Sequence, residues 1–168
     1  QLPGFFPTPV PIIERMLEFA DIHPGQSLLE PSCGKGDILD ALKQKYSDIS
    51  VHAIEQNRTL GDVLSAKGHD VEYADFLEHE GQYDRIVMNP PFEHGGDMQH
   101  IQHAYSLLKP NGRLVSVISE GPFFRADRPS LAFRTWLEDL GAEVEQLPEN
   151  AFRGIDAFRE TGVRTRLI

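Results

Sequence analysis

Short apolar runs that end abruptly alternate along this chain with segments whose apolar residues recur at helical spacing. That alternation restricts the fold more than any other feature. "SLLE" (27–30), "VHAIE" (51–55), "VEYADF" (71–76), "YDRIVMN" (83–89), "RLVSVIS" (113–119), "AEVEQL" (142–147) and "GVRTRLI" (162–168) read as strands. Between them, helix faces are marked by Ile12, Ile13, Met16, Leu17 and Ala20, then by Ile38, Leu39, Ala41 and Leu42, and by Leu60, Val63, Leu64 and Ala66. Later faces are Ile101, Ala104, Leu107 and Leu108, and Leu131, Phe133, Trp136 and Leu137. Pro9 and Pro11 suit the first turn of a helix. Pro24-Gly25, Gly68, Pro110-Asn111-Gly112 and Gly141 break or close the segments. Strands alternating with helices predict an α/β, Rossmann-like doubly wound fold with a mostly parallel seven-stranded sheet covered on both faces. No repeat, linker or low-complexity stretch interrupts the pattern, so residues 1–168 read as a single domain.

In such sheets ligands sit outside the carboxyl ends of the strands. The first strand ends at Glu30, followed by Pro31 and a turn carrying Gly34 and Gly36. Glycine lets backbone pass close to a ligand, and the pattern is neither G-x-G-x-x-G nor a P-loop. An acidic residue before a glycine turn suits a cationic amine better than a pyrophosphate, and a plain strand–helix turn would look the same. The second strand ends at Glu55, 19 residues after Gly36 and 25 after Glu30. A carboxylate there can accept from both hydroxyls of a ribose; a surface glutamate is the plainer alternative. The third ends at Asp75-Phe76, which can serve an adenine, one by accepting from its amine and the other by packing on the ring. An Asp cap beside a core Phe would read the same way. The fourth ends in Asn89-Pro90-Pro91-Phe92. Two prolines cannot extend a ladder, so a buried strand stops in a rigid turn that holds up one carboxamide and one ring. These four strand ends would face one crevice.

Other features narrow the setting. The formal net charge is −10, which does not favour gripping a polyanion unaided. One cysteine excludes an internal disulfide and suggests a reducing compartment. No run approaches the roughly 18–20 apolar residues of a bilayer span, and no signal peptide is visible, so a cytoplasmic location without membrane contact is expected. His94, His100 and His103 with Asp97 resemble a metal cluster by count alone, and no ligand spacing completes it; no metal site is read. "FRADR" (124–128), "FRGIDAFRE" (152–160) and "RTR" (164–166) either line a nucleic-acid entry or are ordinary solvated arginines.

With these residues in place, the chain resembles the class I S-adenosylmethionine-dependent methyltransferases, in particular the amino-methyltransferase branch. That branch carries [D/N/S]-P-P-[Y/F/W], matched by Asn89-Pro90-Pro91-Phe92. "LLEPSCGKG" (28–36) is similar to its first motif, and "FFPTP" (5–9) to the F-x-T-P element that precedes the cofactor motif in one circular order of DNA adenine methylases. "FRGIDAFRETGVRTRLI" looks like the region around an antiparallel last strand. The resemblance implies S-adenosyl-L-methionine as cofactor. It implies that Phe5 and Thr8 border it, Thr8 near the methionine carboxylate, and that Glu30 receives the methionine ammonium. Pro31, Cys33, Gly34 and Gly36 would form the turn around it, with Cys33 a small packing residue rather than a nucleophile. Glu55, with Gln56 beside it, would hold the ribose; Asp75 and Phe76 would hold the adenine. Asn89, Pro90, Pro91 and Phe92 would be catalytic, with Asn89 also bordering the cofactor.

The acceptor implied is a planar amine whose lone pair is delocalised. Adenine N6 in nucleic acid is the leading expectation, DNA before RNA. No separate target-recognition domain is read, so specificity would come from an exposed amine or a separate subunit. The alternatives are a protein glutamine-N5 methyltransferase and a catalytically silent cofactor-binding subunit. An intact Asn89 speaks against the silent subunit.

Overall fold

A computed structural model describes residues 7–148 and the strand segment 165–167. Phe5 and the stretch 152–160 lie outside the described residues. Helix α1 (Val10–Ala20) begins behind Pro9 and Pro11 and buries Ile12, Ile13, Met16, Leu17 and Ala20. Each such large side chain contributes about 1.5–3 kcal/mol by leaving water. The helix stops at Asp21, which is left-handed at φ 49°. Its terminal carbonyls are not left bare. The buried Arg85 guanidinium donates from Nε to the Ala20 carbonyl at 2.6 Å and from Nη2 to that of Asp21 at 3.1 Å, as helix ends require.

Strand β1 (Ser27–Glu30) leads to α2 (Asp37–Lys45), which has Asp37 and Asp40 in its first turn and Lys43 and Lys45 in its last, charges that oppose the helix dipole. Then come β2 (Ser50–Glu55), α3 (Gly61–Ala66), β3 (Val71–Tyr73) and β4 (Tyr83–Met88). The second half is α4 (Gly96–Ser106), β5 (Leu108–Ser119), the one-turn α5 (Gly121–Phe124) and α6 (Arg128–Leu140). Two short strands complete the described residues, β6 (Glu145–Gln146) and β7 (Thr165–Leu167).

The strand order is β3-β2-β1-β4-β5-β7-β6. β1 to β5 pair parallel, and β7 runs antiparallel to both β5 and β6. The expected α/β, Rossmann-like, mostly parallel sheet is what the chain forms. Period-two alternation sorts the strands' side chains onto two faces. Leu28, Val87, Val115 and Val117 pack under α1 and α2. Leu29, Ile54, Ile86, Met88 and Ile118 pack under α4 and α6, against Met98, Ile101, Phe133 and Leu137. Among the described residues no helix is long and apolar enough to cross a membrane.

Three local expectations are corrected. The third strand stops at Tyr73, because the Asp75 carboxylate accepts from the Leu77 amide at 3.0 Å and starts a 3-10 turn over Phe76–Glu78. Pro110-Asn111-Gly112 does not separate helix from strand. Asn111 at φ 65° carries the turn inside β5, where pairing with β4 shifts register between Tyr83 and Arg85. The strand expected over 142–147 contracts to Glu145–Gln146, and Val144 is exposed.

Candidate active site

β1 and β4 are neighbours although β2 and β3 lie between them in sequence. The connections leaving their carboxyl ends therefore diverge, α2 packing on one face and α4 on the other, which opens a crevice at the switch point. Thr8, Glu30, Ser32, Cys33, Asp37 and Asn89 line it, with Pro7 and Ile38.

Glu30 sits at its floor and is 1% exposed. One carboxylate oxygen, Oε2, accepts from the Ser32 amide at 3.1 Å. Burial, then the Glu55 carboxylate, holds its pKa well above the ordinary range, opposed by the Ser32 amide. Among the described residues no cation pairs with it. Glu55 is also buried, and burial raises its pKa; the amides of Asn57, Gly34 and Gln56 oppose the rise. So the turn after β1 reaches the end of β2 through Gly34. It reaches the end of β4 as well, since Ser32 Oγ donates to the Asn89 carbonyl at 3.4 Å. Gly36, at φ 91°, is held close: a Cβ there would lie 3.0 Å from the His69 ring, so both its backbone and its surroundings call for glycine. Burial first, then Glu30 and Glu55, raise the Cys33 thiol far above its usual range, and Cys33 packs in the cluster with Leu39 and Leu64. It is a packing residue.

Asn89 projects from the end of β4. Its Nδ2 donates to the Thr8 Oγ1 at 2.9 Å, across 81 residues of sequence. Thr8 is buried and thus lies against the carboxamide. Phe92 is half-buried against the core under α1. Beyond it the loop turns sharply through His94 (φ 54°) and Gly95 (φ 72°) into α4. Asp97, which the sequence offers only as a metal candidate, anchors this loop. Its Oδ2 accepts from the Ser119 amide at 3.0 Å and hydroxyl at 2.6 Å, and its Oδ1 from the Met98 amide at 3.0 Å. Among the described residues His94, His100, His103 and Asp97 do not converge on one point.

Phe76 departs from its expected role. It is 2% exposed, in the core against the rings of His100 (5.4 Å) and His103 (4.9 Å). A ring so covered offers no face to a base, so Asp75 and the backbone of the 3-10 turn are what the third strand end presents. His100, which the sequence offers only as a metal candidate, carries a buried Nδ1 without a hydrogen-bond partner among the described residues. Gln56 is exposed and Pro31 buried. Ser32 was missed too; a serine in a glycine turn gives no signal of its own.

A family model described as a methyltransferase domain matches residues 8–155. The chain belongs to the class I S-adenosylmethionine-dependent methyltransferase family. It is 33% identical over 97 residues to modification methylase CviBIII of Paramecium bursaria Chlorella virus NC1A, covering 53% of this chain and 26% of that one. It is 29% identical over 138 residues to ribosomal RNA small subunit methyltransferase C of Chromohalobacter salexigens, covering 75% and 38%. Among solved structures, a modification subunit of a candidate type I restriction enzyme from Vibrio vulnificus YJ016 superimposes with TM-score 0.72 at 23% identity, over 98% of this chain and 44% of that chain. The chain thus spans less than half the length of each of these relatives.

The chemistry of two buried carboxylates fits the family's donor. Glu30, which among the described residues has no cationic partner, suits the methionine ammonium, and Glu55, one strand over and not itself among the residues lining the crevice, suits a diol. S-adenosylmethionine, when bound, supplies a methyl group on a sulfonium, a leaving group that needs no further activation.

Proposed function

We propose that this methyltransferase domain methylates a planar amine, adenine N6 in nucleic acid, with DNA ahead of RNA as the acceptor. The observation that carries the reading is the Asn89 carboxamide, set at the lip of the crevice by Thr8 and followed by two prolines. With Nδ2 donating to Thr8, Oδ1 is the end of the amide that acts as acceptor. Oδ1 and the Pro90 carbonyl each accept one N–H of the substrate amine. Two acceptors favour a pyramidal nitrogen and the positive charge that develops on it as it attacks the methyl. That stabilisation is realised in the transition state rather than in the ground state. The proline turn fixes both acceptors within the fraction of an ångström such a reaction needs. Phe92 provides a face for a planar base, worth about 1–3 kcal/mol where stacking forms. Glu30 holds the methionine ammonium, Glu55 the ribose hydroxyls and Asp75 the adenine amine of the cofactor.

The viral modification methylase supports DNA as acceptor. The ribosomal-RNA methyltransferase, which covers more of this chain, supports RNA as the second reading. The net charge of −10 argues for a separate subunit or domain that supplies nucleic-acid affinity, since extruding a base from a duplex needs extra surface. Labelled-methyl transfer to unmethylated DNA, RNA and protein, followed by nucleoside and amino-acid analysis, tests the reading. The expected product is N6-methyladenine, strongest on DNA. Label on a protein glutamine, or cofactor binding with no transfer to any acceptor, would overturn it.

A further inference from the structure

Away from the crevice, on the sheet face that carries α4 and α6, three side chains from three segments converge. His52 lies on β2 and shares its face with Ile54, Glu72 lies on β3, and His79 follows the 3-10 turn after Asp75. Their ligating atoms all lie within 4.8 Å of one another. His52 Nε2 is 2.6 Å from Glu72 Oε2, and His79 Nδ1 is 3.9 Å from the same oxygen. We propose that His52, Glu72 and His79 bind one divalent first-row transition ion, with zinc the ion this donor set favours.

Two imidazoles and a carboxylate are the borderline N/O donors that zinc takes, at about 2.0–2.2 Å each. Neighbouring ligands of a tetrahedral ion at that radius stand about 3.3 Å apart. The His52–Glu72 pair therefore opens by roughly 0.7 Å and the Glu72–His79 pair closes by roughly 0.6 Å. Both are adjustments of side-chain torsions, as is the turn of the His52 ring that brings its lone pair onto the ion, since the His52 and His79 rings stack with centroids 5.1 Å apart and planes at 18°. His79 is already oriented for the task. Its Nε2 is 2.8 Å from the Tyr83 hydroxyl, so with the ring proton on Nε2 the Nδ1 lone pair faces Glu72. A ligand histidine is held in this way by a partner on its other nitrogen. Its backbone is fixed too, since His103 Nε2 lies 2.8 Å from the His79 carbonyl. The His79 side chain is 12% exposed, while those of His52 and Glu72 are 42% and 46% exposed. An ion can enter from that open side and keep a solvent ligand in the fourth position. Binding ties β2, β3 and the connection through Asp75 to one another, a stabilisation distinct from methyl transfer.

The test uses the chain without a polyhistidine tag, stripped by chelator and titrated with zinc chloride by calorimetry, and separately with cobalt(II), whose visible absorption reports four-coordination. One equivalent of zinc per chain is expected, with affinity lowered at least tenfold in His79→Ala and Glu72→Gln. Tyr83→Phe should lower it about 10-fold or more, while His23→Ala leaves it unchanged. Where a variant folds poorly, the imidazole nitrogen NMR signals of His52 and His79 in the wild-type chain serve instead, and both must shift at one equivalent of zinc. No uptake at micromolar zinc, uptake unaltered in His79→Ala, or unshifted imidazole signals would overturn the site.

Discussion

In the proposed mechanism Asn89 and Glu30 divide the labour of the crevice, and their substitutions separate cleanly. Asn89→Ala removes an acceptor that acts on developing charge, so the proposed mechanism predicts a 10²–10³-fold loss of kcat, about 2.7–4 kcal/mol, with cofactor affinity by calorimetry altered less than about threefold. Thr8→Val removes the Oγ1 that accepts from Asn89 Nδ2 while keeping shape. About tenfold of kcat should go, the cost of one hydrogen bond, with the larger share in kcat rather than KM. Glu30 carries a cost of its own. Its folded-state pKa is raised above the unfolded value, so the proton it holds in acid is lost on passing that raised value. Its burial therefore weighs against the fold at neutral pH and not in acid. Glu30→Gln should melt higher than wild type at neutral pH without cofactor, yet bind S-adenosylmethionine about 10–100-fold more weakly. Wild-type cofactor affinity should rise with pH until Glu30 is ionised in the free protein; scanning calorimetry and binding titrations across pH check both.

At the scale of elements, the loop carrying Asn89-Pro90-Pro91-Phe92 is fixed at its far end by Asp97, which accepts three hydrogen bonds while almost wholly buried. Asp97→Ala leaves the Ser119 amide and hydroxyl without that acceptor and should lower stability by about 2–3 kcal/mol in urea unfolding, and kcat with it. The same scale shows what the sequence discloses. Apolar runs such as Ile86-Val87-Met88 declare buried parallel strands, and the abrupt change to Asn-Pro-Pro announces where they stop. Glu30, Glu55 and Asn89 were legible because each sits at such a stop. Phe76 was misplaced because an aromatic after a strand looks alike whether it faces a ligand or the core; only the arrival of α4, with His100 and His103, decides. The Thr8–Asn89 bond joins residues 81 apart, and no local pattern carries such a pairing. β6 shrank because its alternation includes residues that the fold leaves in solvent.

For the whole molecule, net charge sets the terms of nucleic-acid contact. With a formal charge of −10, the domain by itself should bind DNA weakly, and its affinity should fall only shallowly with salt because few phosphates are neutralised. Fluorescence anisotropy between about 50 and 200 mM salt measures that slope. A fusion or complex with a basic subunit should steepen it without altering the cofactor's Kd.

The strand order has an architectural corollary. Since the seam between β1 and β4 is where the two halves of the sheet were laid down in opposite directions, the segment entering α1 passes over it and touches Asn89 through Thr8. Thr8 thereby ties the start of α1 to the Asn89 carboxamide, and in the proposed mechanism a displacement of that helix start reaches the acceptor through a single hydroxyl.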